Sequence, residues 1–349
     1  MGIKEHSKEI LYVVLFLTVL DLMLCHKKEV KHYLVLLACV CLALLAYKRV
    51  SLTLAVSFLL IYTAGRFSFQ KLAKRLLIFY SSMISLTILL MIIGVTEDIL
   101  FYEDMGERVR HSLGFTYCSY ASHYMLTLMM LYLVVRETVQ IREFIPIVIV
   151  NYVIYYLTDT KADYILCILL LLFAVLAGGF GKYFRKEKWY IIPGGLIPIL
   201  FLGISYISAR KADFNLEIWR KINGVLNGRL QLGESAISQY GVHLWGKKIE
   251  WIGVAQAADD PGALYNYVDN IYLQTLLSMG IIFTIIMCLV LGRMFVGSLR
   301  QGYMMRAVVI FVFLLHGLVD PQLRSLCYDP FLLLAFSEES NCLYTKRKE

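Results

Sequence analysis

Five segments of this chain carry residue types that bind phosphate or move a proton. The first is Arg108, Arg110, His111 and Ser112, running into Phe115, Tyr117, Tyr120, His123 and Tyr124. Two guanidiniums beside tyrosines can hold a phosphate and stack on sugar rings, although basic anchors in an interfacial aromatic belt have the same composition. The second, Thr158 to Tyr164, sets Lys161 between Asp159 and Asp163. That is either a salt-bridged turn or a point charge for an anion. The third places Ile218, Ile222, Val225 and Leu226 at helical spacing, with Glu217 and Lys221 four apart, and then presents Arg229. An amphipathic helix there would lie over a membrane face and carry Arg229 toward a cavity. The fourth is Asp269-Asn270, natural caps for the apolar run that follows. A carboxylate with an ordinary pKa of about 3.9 is ionised at neutral pH and can accept a proton. The fifth is His316 and Asp320, four apart if a helix continues to Pro321, with Arg324 beyond.

The elements that must position these groups are membrane helices. The chain has 349 residues, 59% of them hydrophobic and only 17% charged. Soluble domains run at about 45–50% apolar and about 25% charged. A cytosolic enzyme, a disordered chain and a small disulfide scaffold are therefore excluded. A bilayer core needs roughly 20 residues per helix. About eleven continuous apolar runs qualify, near 10–25, 33–47, 50–64, 76–95, 119–135, 144–158, 162–179, 189–207, 268–291, 307–322 and 328–344. Continuous runs, not ten-residue alternation, select helices over a β-barrel. Gly94, Gly178, Gly179 and Pro193 fit ends or kinks of these helices. The expected fold is all-α and polytopic: one integral membrane domain over 1–349, with a large loop at 208–267.

Charge sets the sidedness. Nineteen of the 34 Lys and Arg lie in one alternating set of short connections, eight in the other and seven in the long loop. Basic residues in short loops stay cytoplasmic. The N-terminus and the 208–267 loop are thus expected outside, and the C-terminus inside. Glu97, Asp98, Glu103, Asp104, Glu107 and most other acids of the connections also face outward. A reaction site, if present, faces outward too.

The span interiors hold little charge beyond Asp21 and His316, which disfavours an ion-coupled transporter. No inverted repeat or pair of broken helices stands out. Walker A, HExxH, GxSxG and paired His/Cys ligand spacings are missing, so no metal or other cofactor is expected. The eight cysteines form no CxxC and read as small packing residues.

In order along the chain, several segments resemble the O-antigen ligase and polymerase superfamily. Residues 158–172, TDTKADYILCILLLL, resemble its SR turn opening a long helix. Residues 227–247, NGRLQLGESAISQYGVHLWGK, resemble the GR-L segment of its large outer loop. Residues 268–281, VDNIYLQTLLSMGI, resemble its HN-YL helix start. RHSLGF at 110–115 and DPFLLL at 329–334 resemble segments of Wzy-type polysaccharide polymerases. Two positions depart: Lys161 stands for the arginine of the SR turn, and Asp269 for the histidine before Asn. The second departure argues for a polymerase over a lipopolysaccharide ligase.

The resemblance implies a GT-C-like glycosyltransferase that joins polyprenyl-diphosphate-linked oligosaccharide repeats at the outer face of the bacterial cytoplasmic membrane. Arg229 would stabilise the leaving diphosphate, with Arg110, His111, Lys161 and Arg324 assisting in binding. Asp269 would act as base, with His316 as second candidate, and Asn270 and Tyr272 would orient sugar hydroxyls. Expected partners are the lipid-linked oligosaccharides, the bilayer, and a chain-length regulator and flippase of the same pathway, but not nucleic acid. A flippase, a ligase-type transferase, and a membrane sensor or scaffold remain as alternatives.

Overall fold

The computed structural model describes residues 7–25, 30–103, 108–137, 141–186, 189–253, 265–321, 325–326 and 328–337. Helices dominate, with 13 among the described residues. In chain order they are α1 (Ser7–Cys25), α2 (Val30–Arg49), α3 (Leu52–Ala64), α4 (Phe69–Ile92), α5 (Tyr120–Arg136), α6 (Ile141–Thr158) and α7 (Lys161–Lys186). Then follow α8 (Ile191–Lys211), α9 (Glu217–Val225), α10 (Arg229–Tyr240), α11 (Ile271–Gln301), α12 (Met304–His316) and a 3₁₀ helix, Pro330–Phe336. Three of them, α4, α8 and α11, are long and apolar enough to cross a membrane, and α3 and α12 are shorter apolar helices.

Contacts divide the chain into two compact units, where the sequence suggests one domain. Unit 1 is Met1–Arg66, Ile192–Met294 and Gly317–Glu349; unit 2 is Phe67–Ile191 and Phe295–His316.

In unit 1, α3 is buried on most of its surface and packs against α1, α2 and the 3₁₀ helix. The last expected span, 328–344, is thus not an α-helix over its described part. Asp329 caps the 3₁₀ turn by accepting the Phe331 N–H at 3.2 Å, and Pro330 at its start fits a tight first turn. Phe336 packs edge-on to Tyr62 at 6.1 Å. The residues that follow, 338–349, lie outside the described ones.

α8 shows why composition alone reads as membrane. Ile192, Leu196, Ile199, Leu200, Ile204 and Ile207 are exposed and fall on one stripe. A water-facing stripe of that size would cost roughly 25 cal/mol per Å². Elsewhere α8 meets α11 closely: a Cβ on Gly292 would lie 2.2 Å from the Gly195 carbonyl oxygen. Small residues let membrane helices approach backbone to backbone. Pro193, in the first turn of α8, loses no intrahelical bond.

α11 is interrupted at Gly280, whose φ of 90° and ψ of 176° leave the helix. Nine residues of helix precede this break, roughly 14 Å of axis. The segment 243–247 of the long loop fills it. Ile281 and Ile282 donate to the His243 and Leu244 carbonyls at 3.1 and 3.4 Å, and Lys247 donates to the Leu277 carbonyl at 3.0 Å. Trp251 adds a bond from its indole N–H to Ser278 Oγ at 3.1 Å. Gly246 is required here. Its φ is 67°, and a Cβ would sit 2.2 Å from the Ser278 oxygen. The loop is therefore packed into a helix break as well as carrying a surface helix.

In unit 2, α5 and α12 are buried on most sides, through residues such as Leu126, Met130, Leu131, Ile310 and Phe313. α6 turns Phe144, Asn151, Ile154 and Thr158 inward and leaves Ile145, Ile149, Val153 and Tyr156 exposed. Both faces are apolar, as in a helix packed on one side and lipid-facing on the other. α7 runs on through Gly178 and Gly179, which therefore mark neither an end nor a break. The all-α expectation needs one amendment. Leu100–Glu103 (β1) and Arg108–His111 (β2) form an antiparallel hairpin.

Candidate functional site

The hairpin gives the first cluster its geometry. Arg108 and Arg110 are two apart on β2, so they share a face. Arg108 pairs with Asp159, while Arg110 donates through Nε to the Thr158 carbonyl at 2.8 Å and through Nη2 to Thr160 Oγ1 at 3.2 Å. The two arginines thus bind the strand to the α6–α7 turn. His111 faces away and holds Asp98, Nδ1 to Oδ2 at 2.5 Å. Burial acts to raise the Asp98 carboxyl, but the His111 bond and the Leu113 N–H at 2.8 Å outweigh it and hold it below its ordinary value. Around the hairpin, Tyr117 meets Phe101 and Tyr120 with ring centroids 5.1 and 5.9 Å apart, and Phe115 meets Tyr124 at 5.6 Å.

The α6–α7 turn differs from the salt-bridged arrangement that its sequence suggests. Asp159 takes Arg108, not Lys161, and adopts a positive φ of 45°. Lys161, first residue of α7, is exposed. Asp163, one residue pair further on, turns inward to two histidines. Its Oδ2 lies 2.6 Å from His123 Nδ1 and its Oδ1 lies 3.2 Å from His316 Nε2.

His316 therefore meets Asp163 rather than Asp320. α12 ends at His316, so the helical continuation that an i,i+4 contact requires does not exist. Its side chain is 7% exposed. As a second candidate base it is withdrawn from the surface and already faces a carboxylate.

The third and fourth segments meet within unit 1. α9 forms as expected, with Glu217 and Lys221 paired at 2.7 Å. None of its residues is buried, and Ile218 and Val225 are largely exposed. Such an amphipathic helix suits a headgroup layer. Asn227 and Gly228, both at positive φ, turn the chain into α10. Arg229 opens that helix, and its Nε lies 3.5 Å from Asp269 Oδ2, both side chains about a quarter exposed. This Nε makes no hydrogen bond. The pair is an electrostatic contact that can reorganise around an anion.

Of the two expected caps, Asn270 caps α11: its Oδ1 accepts the Leu273 N–H at 3.0 Å. Its Nδ2 donates to Ser205 Oγ at 2.9 Å and to the Leu318 carbonyl at 3.0 Å. That side chain is committed to structure, which argues against the expected sugar contact. Tyr272 is wholly buried, edge-on to Phe201 at 6.3 Å, so it packs instead of facing a sugar. Arg324 lies outside the described residues.

The expected site residues are thus distributed. Arg229, Asp269, Asn270 and Tyr272 belong to unit 1, and Arg110, His111, Lys161 and His316 to unit 2. Sequence reasoning named His123 and Asp163 only as bystanders of other motifs. No spacing signal links 123, 163 and 316, since they come from three helices. The described cysteines 39, 41, 118, 167 and 288 are free thiols. Comparison with protein families, curated proteins and solved structures returned no match.

Proposed function

We propose that this protein is an integral membrane glycosyltransferase that polymerises polyprenyl-diphosphate-linked oligosaccharide repeats at the outer face of a bacterial cytoplasmic membrane. The reading takes about eleven spans with the 208–267 loop outside. The observation that carries it is the Arg229–Asp269 pair. Forty residues apart in sequence, a cation and a carboxylate are brought together, each side chain about a quarter exposed. In the proposed reaction an acceptor hydroxyl attacks the anomeric carbon of the donor. The new C–O bond forms as the anomeric C–O bond to diphosphate breaks. Asp269 takes the hydroxyl proton, and Arg229 leaves its carboxylate contact to neutralise the departing diphosphate. The exposed apolar face of α9 would keep this pair at headgroup level, where the diphosphate lies.

A flippase for the same lipid-linked sugars is a second reading. It draws on the break in α11, a feature of transporter helices. Gene deletion separates the two. Loss of a polymerase leaves single-repeat surface glycan on a gel, whereas loss of a flippase traps the lipid-linked unit inside. In the polymerase reading, Arg229→Ala abolishes chain extension at normal membrane levels. Arg229→Lys also fails to restore it, because the bidentate fork is lost. Long polymer from Arg229→Ala would remove that residue from the mechanism.

A further inference from the structure

Three helix ends of unit 2 bring together two imidazoles and a carboxylate. His123 lies in the first turn of α5, Asp163 in the first turn of α7, and His316 is the last residue of α12. These three helices pack directly on one another. Their three side chains are 7%, 1% and 7% exposed. One donor atom from each falls within 4.8 Å of the other two.

A carboxylate this deeply buried needs either full hydrogen bonding or a counter-charge. Its contacts do not take the first form. Both oxygens of Asp163 and the Nε2 of His316 are buried, and none has a partner in hydrogen-bond geometry, even though the imidazole nitrogens stand 2.6 and 3.2 Å away. The donor atoms of the three side chains are nonetheless gathered within 4.8 Å of one another. The two imidazole rings lie with centroids 5.4 Å apart and a tilt of 53°.

Convergence without mutual hydrogen bonding is the arrangement of ligands around an ion. Tetrahedral donors at about 2.0–2.1 Å from a zinc ion stand about 3.4 Å apart, so side-chain adjustments of about 1 Å would bring these three onto one ion, leaving a fourth position open. Imidazole with carboxylate is the donor set of first-row divalent metals. We propose that His123, Asp163 and His316 form a binding site for a divalent first-row transition-metal ion. The ion neutralises Asp163 and cross-links the ends of α5, α7 and α12. Sequence spacing could not show it, because each helix supplies a single ligand. The proposal lies within one unit and does not depend on the reaction assigned above.

The test uses the full-length chain, purified in detergent, treated with chelator and titrated with Zn²⁺, then separately with Co²⁺. Metal is counted by elemental mass spectrometry, and the ligand field is read from visible Co²⁺ absorption. The wild type should retain one equivalent of zinc per chain and develop a Co²⁺ spectrum. Asp163→Asn and His316→Gln should each weaken zinc binding by at least about 100-fold, because losing even an outer partner of a ligand costs about 10–100-fold. His243→Ala, which alters an exposed histidine of unit 1, should bind as wild type does. Circular dichroism checks each variant's folding. If the variants unfold, the wild-type titration decides alone. Failure of wild type to bind zinc stoichiometrically, or undiminished binding by folded Asp163→Asn and His316→Gln, overturns the proposal in favour of an ion-paired helix junction.

Discussion

Exchanging Asp269 for asparagine removes one negative charge at nearly constant shape, and the structure separates the two consequences that this could have. Capping of α11 belongs to Asn270 through its bond to the Leu273 N–H. Asp269 is about a quarter exposed and makes a 3.5 Å contact with Arg229. Surface pairs of that kind are worth about 0–1 kcal/mol. Loss of that pair should cost Asp269→Asn about 0–1 kcal/mol of stability. In the proposed role of general base, however, the carboxylate would contribute about 10²–10⁴-fold, and an amide could not take its place. The neighbouring change Asn270→Ala should do the opposite. It removes a cap worth about 1 kcal/mol and two further bonds, to Ser205 and Leu318, each worth about 0.5–1.5 kcal/mol. A loss of roughly 2–4 kcal/mol follows, with intrinsic chemistry retained in whatever fraction stays folded. The assays are denaturant unfolding in detergent and the initial rate of oligomer formation from purified lipid-linked repeats, with protein matched by blot. An Asp269→Asn rate within about threefold of wild type would refute the base assignment, since it falls far short of a general base's contribution. An Asn270→Ala protein as stable as wild type would refute the assignment of the cap.

Gly246→Ala should destabilise the protein by at least about 2 kcal/mol, combining a disfavoured positive φ with a Cβ 2.2 Å from the Ser278 oxygen; denaturant midpoints check it. A cysteine at the exposed Ser238, in a background lacking exposed native cysteines such as Cys41, should react with an impermeant thiol reagent on intact wall-stripped cells. Labelling only after lysis would reverse the proposed sidedness. For the β1–β2 hairpin, the folded Asp98 carboxyl titrates below its ordinary value of 3.8, so its contribution is present above that pH and fades as pH falls through the lowered value. Hydrogen exchange at 99–103 and 108–113 should show protection in wild type exceeding that in Asp98→Asn at pH 6, and the difference should vanish at low pH.

Much of this architecture is written in local pattern. Continuous apolar runs specify helices because a backbone in lipid must bond to itself. The i,i+4 spacing of Ile218 and Ile222, with Glu217 opposite Lys221, specifies α9 without help from any other element. The Arg229 and Asp269 segments stand out by residue type, but only the tertiary structure brings the two side chains to 3.5 Å. Other features depend on contacts that no local pattern encodes. Four residues of alternating character, Arg108–His111, are too few to announce a strand, which exists because it finds β1 and the α6–α7 turn. Whether Asp269 or Asn270 caps α11 depends on Ser205 and Leu318, far away in sequence. The break at Gly280 is stable only because residues 243–247 supply its missing backbone partners. The meeting of His123, Asp163 and His316 is the extreme case. Each is an ordinary helix-end residue by sequence, and only the packing of three helices, driven by burial of their apolar faces, turns them into one cluster.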